Sequence, residues 1–341
     1  MRREDYHTYN EIKSQTQAWE QALNLVSTAS LPKTADYGQV LFTGCGSTYY
    51  LSLSAAALYQ ELTGRAAWAV PGGELLLNSQ TVVAQTSCSP CLLVAVSRSG
   101  TTTETVKAVE KFKAEKRGQV VVISNYDEAL SRLADFNIVI PKGQEESVAQ
   151  TRSFASMYVA AATFCARMAG RTDLVEAMRT LPEVGNSVMD KYEAYAKEVG
   201  EDFEFERFYF LGSGIRYGLA CESNLKMKEM TLTHSEPFHF LEFRHGPMSM
   251  VNANTVVVGM LSDANRVHEA KVLSEMARLG ATVASLGESE ADVAFESGIP
   301  ESGRGVLYLP VLQLMAFYRS LAKGLNPDRP ENLTAVVELD L

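Results

Sequence analysis

Val40-Leu-Phe-Thr-Gly-Cys-Gly-Ser47 and Phe208-Tyr-Phe-Leu-Gly-Ser-Gly-Ile215 open alike: an apolar run of strand length, then G-x-G, then a segment with helical periodicity. A run apolar at every position is buried on both faces, as the strands of a parallel sheet covered by helices are. One G-x-G carries little information, because glycines after a strand often serve only a tight turn. Two such openings, each leading into further strand and helix patterns, suggest an internal duplication of one α/β unit.

The alternation continues on both sides of these openings. Residues 5–30 predict an amphipathic lead-in helix (Ile12, Trp19, Ala22, Leu23, Val26) closed by Pro32. Strands are expected over 40–43, 66–70, 92–96, 120–124 and 137–140, with helices from Ser47 and after Thr103, then long helical patterns over 151–169 and 172–199. After a charged patch at 201–207 the pattern restarts, with strands at 208–211, 255–260 and 282–286 and helices from Arg216, around 265–279 and over 312–323. The fold class is α/β, with a lead-in over 1–35, a first sheet domain over 36–190, and a second over 191–341 that ends in a Pro-containing, extended tail.

The length of 341 residues allows two domains, and 46% hydrophobic with 21% charged residues is the balance of a folded chain. Lys plus Arg total 31 against 41 for Asp plus Glu, and the net charge of −10 argues against a nucleic-acid partner. No stretch approaches the ~20 uninterrupted apolar residues of a membrane span, and the start lacks a signal-peptide run, so a cytoplasmic location is expected. The cysteines (Cys45, Cys88, Cys91, Cys165, Cys221) are odd in number and scattered through apolar segments, as reduced thiols are. Cys88-Ser-Pro-Cys91 has no second pair to complete a zinc site.

Two Ser/Thr-rich turns in the first half, Gly44-Cys-Gly-Ser-Thr48 and Ser97-Arg-Ser-Gly-Thr-Thr-Thr103, each follow a strand and precede a helix. In open parallel sheets ligands collect at the carboxyl ends of the strands. Backbone N–H groups, hydroxyls and a helix N-terminus there make an anion cradle without net positive charge. Helix capping alone would explain one such turn; two in one unit point to a phosphate. The second half has no copy: its strand 255–260 runs into Leu-Ser-Asp-Ala-Asn-Arg266, with acid where phosphate would sit, so one sugar-phosphate site per chain is expected.

Instead, the second half concentrates ionisable residues. Glu222, Lys226 and Glu229 (i, i+4, i+7) share one helix face, a spacing that helical ion pairs would also explain. The stretch Glu236-Pro-Phe-His-Phe-Leu-Glu-Phe-Arg-His-Gly-Pro247 follows, ending in a rigid turn. His239, Glu242 and His245 match no common metal-ligand spacing, and no metal or cofactor is expected.

Ser97-Arg-Ser-Gly-Thr-Thr102, Glu146-Ser-Val-Ala-Gln-Thr-Arg152, Leu225-Lys-Met-Lys-Glu-Met230 and Glu242-Phe-Arg-His-Gly-Pro247 together resemble the tandem sugar isomerase (SIS) family, including the isomerase half of glucosamine-6-phosphate synthases. The resemblance runs from about residue 36 onward and implies two tandem SIS-type doubly wound parallel-sheet subdomains. It implies that Ser47, Thr48, Ser97, Ser99 and Thr102 hold the phosphate and that Val148 and Gln150 line the sugar. It further implies that Glu229 moves a proton between C1 and C2, that Lys226 supports it, and that His245 opens the sugar ring. In the family this histidine reaches in from the neighbouring subunit, which implies a homodimer with shared sites.

Three departures bear on the activity. This stretch of sequence has no glutaminase domain, so ammonia would not be drawn from glutamine within it. Asn332-Leu-Thr-Ala335 stands where the synthases carry a Schiff-base lysine. Arg98 stands in place of a usual glutamine, either strengthening the anion site or pointing outward. The expected activity is glucosamine-6-phosphate deamination. The alternatives are a fructosamine-6-phosphate deglycase, a plain aldose–ketose isomerase, or a non-catalytic sugar-phosphate sensor.

Overall fold

The structure is a computed structural model that describes residues 2–83, 90–337 and 339. Contacts divide the chain into two compact units, one made of Gln15–Glu145, Arg152–Arg179 and Thr334–Leu341, the other of Met1–Ser14, Glu146–Thr151 and Thr180–Leu333. Packing rather than chain order makes this division. The lead-in is helix α1 (His7–Thr28), and all five residues of its apolar stripe are buried.

The first unit runs β1 (Gln39–Gly44), α2 (Ser47–Thr63), β2 (Ala67–Pro71), α3 (Gly72–Leu77), α4 (Ser79–Val82), β3 (Cys91–Ser97), α5 (Thr103–Ala114), β4 (Gly118–Ser124), β5 (Phe136–Val139), α6 (Arg152–Met168) and α7 (Thr172–Ala177). All its strand pairs are parallel, in the order β2-β1-β3-β4-β5. Every residue of β1 and β3 is buried, which is why each reads as an apolar run, Val40–Phe42 and Cys91–Val96, with polar residues only toward its ends. On one face Leu41, Leu93 and Val122 pack with Val109 and Phe112 of α5. Of the C-x-x-C pair, Cys88 lies outside the described residues; Cys91 is buried at the start of β3, and burial pushes its thiol up to about 12.

The second unit runs α8 (Leu181–Glu201), β6 (Arg207–Leu211), α9 (Arg216–Thr231), β7 (His234–Phe238), β8 (Thr255–Met260), α10 (Arg266–Arg278), β9 (Thr282–Gly287), β10 (Val293–Ala294) and α11 (Leu309–Ala322). Its sheet is also parallel, in the order β10-β9-β8-β6-β7. The long pattern 172–199 proves to be two helices, because a 3₁₀ turn at Met178–Thr180 interrupts it and Pro182 sits in the first turn of α8. Two strands have no clear sequence signal. Among the described residues β7 pairs only with β6, at the sheet edge, where Pro237 is tolerated, and β10 is two residues long. The most apolar helical stretch, Gly305–Ala322, is 89% buried, which accounts for its composition.

The two sheets repeat one plan. Val40 pairs with Leu92 as Phe208 pairs with Val256, and each G-x-G follows at the same distance. A Cβ on Gly44 would lie 2.5 Å from Thr48 Oγ1, and one on Gly212 would lie 2.5 Å from the Arg216 carbonyl oxygen, so the first glycine of each pair permits the close approach of strand end to helix. The second glycines, Gly46 (φ 56°) and Gly214 (φ 58°), hold the left-handed conformation that reverses the chain.

Candidate active site

In the first sheet the chain winds outward in opposite directions from β1 and β3, so their carboxyl ends flank the switch point where α/β proteins bind ligands. Both predicted turns leave from there. In the first turn, Thr48 Oγ1 accepts the Cys45 N–H and donates to the Cys45 carbonyl, both at 2.9 Å, so Thr48 fastens the turn. Ser47 is buried at the first position of α2.

In the second turn the serine oxygens accept hydrogen bonds from their own loop. Gly100 N–H donates to Ser97 Oγ (3.2 Å), while Thr101 N–H and Oγ1 donate to Ser99 Oγ (3.2 and 3.0 Å). Ser97 Oγ and Thr102 Oγ1 lie 3.5 Å apart. An oxygen that accepts twice, as Ser99's does, leaves its own proton to donate outward, which suits an oxyanion. Thr102, the N-cap of α5, makes no side-chain cap, so the first N–H groups of this 12-residue helix are not satisfied by it.

Arg98 does not point outward. Its buried guanidinium donates to the Ala335 carbonyl at 2.6 Å and lies 3.9 Å from Glu145, so it holds the C-terminal tail rather than facing solvent. The tail also donates from Leu339 N–H to Thr103 Oγ1 (3.1 Å).

The equivalent switch point of the second sheet lies between β6 and β8. Five residues beyond each register pair, Ser97 corresponds to Leu261, and Arg98 therefore to Ser262. Here the cradle is filled from within: Glu269 of α10, 3% exposed, accepts the Ser262 N–H (2.6 Å) and Oγ–H (3.0 Å). Arg216 lies 3.7 Å from the same carboxylate and also pairs with Glu301. The acid expected at this turn, Asp263, instead pairs with Arg304, and the one that fills the cradle is Glu269 of α10.

Helix α9 brings Glu222, Lys226 and Glu229 together, as their spacing predicts. Lys226 Nζ lies 2.6 Å from Glu229 Oε2 and 3.3 Å from Glu222 Oε1. Glu222 and Lys226 are sealed, and only Glu229, 19% exposed, reaches the surface. Burial alone would lower the Lys226 ammonium's pKa, but the two carboxylates outweigh it and raise it above the ordinary 10.5. Lys226 therefore stays charged and orients the Glu229 carboxylate.

His245 follows the 3₁₀ turn Glu242–Arg244 and precedes Gly246, whose φ is 123°. Arg244, to which the sequence assigned no role, anchors this turn by two bonds to Glu275 (2.6 and 2.7 Å). The His245 side chain is exposed and makes no hydrogen bond or ion pair among the described residues. His239 instead stacks on Tyr217, with ring centroids 3.9 Å apart, and burial lowers its pKa against the opposing pull of Glu242. Among the described residues no group of three His, Cys, Asp or Glu side chains is placed to hold a metal ion.

Val148 and Gln150 lie on the segment Glu146–Thr151, where Ser147, Ala149 and Thr151 are buried and the two alternate residues are half-buried. Gln150 Oε1 is buried without a hydrogen-bond partner among the described residues. An acceptor left in that state is costly unless a donor reaches it.

The family described as SIS domain matches residues 34–167 and 204–297. Glutamine–fructose-6-phosphate aminotransferase (isomerizing) from Sulfolobus acidocaldarius is 33% identical over 73% of this chain and 42% of its own length. The enzyme of that name from Methanothermobacter thermautotrophicus is 25% identical over 100% of this chain and 57% of its own. The chain thus spans about half the length of these curated relatives. Among solved structures, glucosamine-6-phosphate deaminase from Thermotoga maritima superposes with a TM-score of 0.82 at 26% identity, covering 98% of this chain and 100% of that one. The C-terminal domain of the Francisella tularensis aminotransferase shares the fold, with a TM-score of 0.79 at 21% identity over 95% of this chain and 98% of that one.

Proposed function

Because the chain belongs to the SIS-domain family, we propose that it is a phosphosugar isomerase-type enzyme that converts glucosamine 6-phosphate to fructose 6-phosphate and ammonia. The observation that carries this reading is the Glu222–Lys226–Glu229 cluster, a buried ammonium that presents one carboxylate at the surface in a fixed orientation. The full-length likeness to the Thermotoga deaminase, and Ala335 where the synthases carry a lysine, favour the ammonia-releasing reaction.

The phosphate is held by Ser47, Ser97, Ser99 and Thr102 with the start of α5, and Thr48 keeps the first turn in shape. Val148 and Gln150 line the sugar, and Gln150 Oε1 accepts from a sugar hydroxyl. His245, contributed by the neighbouring copy of a homodimer, opens the ring to the C1 aldehyde. Glu229 removes the C2 proton, generating an enolamine, and a proton returned to C1 leaves an imine at C2. Water adds to that carbon, C–N cleavage expels ammonia, and the C2 ketone of fructose 6-phosphate remains. Lys226 touches no reacting atom in this scheme; it positions Glu229.

Incubation with glucosamine 6-phosphate in deuterated water tests this. Ammonia release with deuterium at C1 is expected, and Glu229→Gln should abolish both while leaving phosphosugar binding intact. Exchange without ammonia would indicate a plain isomerase. Binding with neither would indicate a sensor.

A further inference from the structure

Glu11 is a carboxylate on an amphipathic helix, 3% exposed, with no role in the chemistry described above. Its Oε1 accepts the Glu146 N–H (2.6 Å) and the Ser147 N–H (3.3 Å), and its Oε2 accepts the Ser147 hydroxyl. Two successive backbone N–H groups turned toward one oxygen form an anion-binding nest, and here the chain supplies the anion itself. The partners lie 135 and 136 residues away, so the bond ties α1 to the start of Glu146–Thr151.

The remainder of that segment is held with equal economy. Val148 N–H donates to the Asp328 carbonyl (2.9 Å), and Asp328 caps α1 by accepting the His7 and Thr8 N–H groups (3.0 and 2.8 Å). Gln313 donates to the Thr151 carbonyl at 3.2 Å. Glu11 grips the end from which Val148 and Gln150 project. Buried Ser147, Ala149 and Thr151 alternate with half-buried Val148 and Gln150, so whatever holds Ser147 inward also sets where Val148 and Gln150 stand along this bent segment.

We propose that Glu11 is a positioning residue for substrate, holding Val148 and Gln150 in the register that meets the sugar. The inference rests on the reading of Val148 and Gln150 as sugar-lining residues. It predicts a selective defect, because Glu146 and Ser147, the groups Glu11 holds, begin the sugar-lining segment and belong to neither phosphate-binding turn.

Glu11→Ala should raise KM for glucosamine 6-phosphate about ten- to a hundredfold, the cost of misplacing a binding group by an ångström or so. The dissociation constant of inorganic phosphate should stay within about twofold of wild type. Glu11→Gln should recover most of the loss, since its amide oxygen still accepts the two N–H groups while Ser147 turns its proton to the Ala149 carbonyl, 3.2 Å away. Gln150→Ala in the Glu11→Ala background should add no more than about twofold. If Glu11→Ala does not fold, Glu11→Asp keeps the charge but withdraws it by one methylene and carries the same prediction. Equal losses of phosphate and sugar affinity, or a wild-type KM, would overturn the positioning role alone. A wild-type protein that binds phosphate but no phosphosugar would overturn the functional reading and this inference with it.

Discussion

Replacing Lys226 by methionine should cost about 3–5 kcal/mol of stability, the usual penalty for stranding a buried charge by removing its partner. Lys226 Nζ lies 2.6 Å from one carboxylate and 3.3 Å from the other. At an effective dielectric of ~20 those separations correspond to about 6 and about 5 kcal/mol of attraction before desolvation, which offsets several kcal/mol per ion. With the ammonium gone, two carboxylates share a mostly sealed site, and one of them should take up a proton near neutral pH. If that one is Glu229, the acid limb of the pH–rate profile moves up in pH. Methionine at Lys226 combined with Glu222→Gln removes the repulsion and should regain most of the stability. The pH dependence gives a further check. The folded-state pKa of Lys226 is raised, so its contribution is fully present below about pH 10.5 and is lost as the pH climbs through the raised value. The stability gap between wild type and Lys226→Met, measured by urea unfolding, should therefore be level from about pH 8, above the carboxylate's titration in the variant, to about pH 10 and narrow above it. A gap below about 1 kcal/mol, or one independent of alkaline pH, would refute Lys226 as the counter-ion of this cluster.

Three further outcomes can be tested. Replacing Ser97 and Ser99 together by alanine should raise KM much more than it lowers kcat, because a phosphate is gripped alike in ground and transition states; steady-state kinetics with the KM unchanged would move the site elsewhere. Glu269→Ala strands the Ser262 N–H and leaves Arg216 with Glu301 as its ion-pair partner, so it should lower the melting temperature, and millimolar phosphate or sulfate should restore part of the loss in the variant while leaving wild type nearly unmoved. Equal numbers of Glu229→Ala and His245→Ala chains, each inactive alone, should recover about a quarter of wild-type activity after unfolding and reassembly together, since random pairing makes about half the dimers mixed with one complete site of two. No recovery, with subunit exchange verified, would place both groups in one chain.

Local geometry governs what is legible in such a chain. β1, β3, β4 and β8 are read from sequence because burial on both faces demands an apolar run through the middle of each strand, and the G-x-G turns because a Cβ at Gly44 or Gly212 would collide with the following helix. β7 escapes the same reading because an edge strand with one partner is free of that demand. Lys226 with Glu229 is likewise readable, since helical pitch alone brings residues three and four apart within reach.

Arg98 shows where that reach ends. Its residue type and its place in the turn are evident from the sequence, yet its guanidinium is committed to the Ala335 carbonyl, 237 residues along the chain. Glu269 is seven residues from Ser262, but only the fold of β8 against α10 turns it back into the cradle that the first sheet leaves to hydroxyls. Glu11 had the look of any acidic residue on a helix until the Glu146 and Ser147 amides were brought to it. Hydrophobic period and turn chemistry act over a few residues, and these determined the strands, the helices and the Glu222–Lys226–Glu229 face. The partners of a buried charge are chosen by packing between distant segments, because desolvation makes an ion costly wherever the fold fails to supply its counter-ion or donors, and only the tertiary structure decides which segments meet.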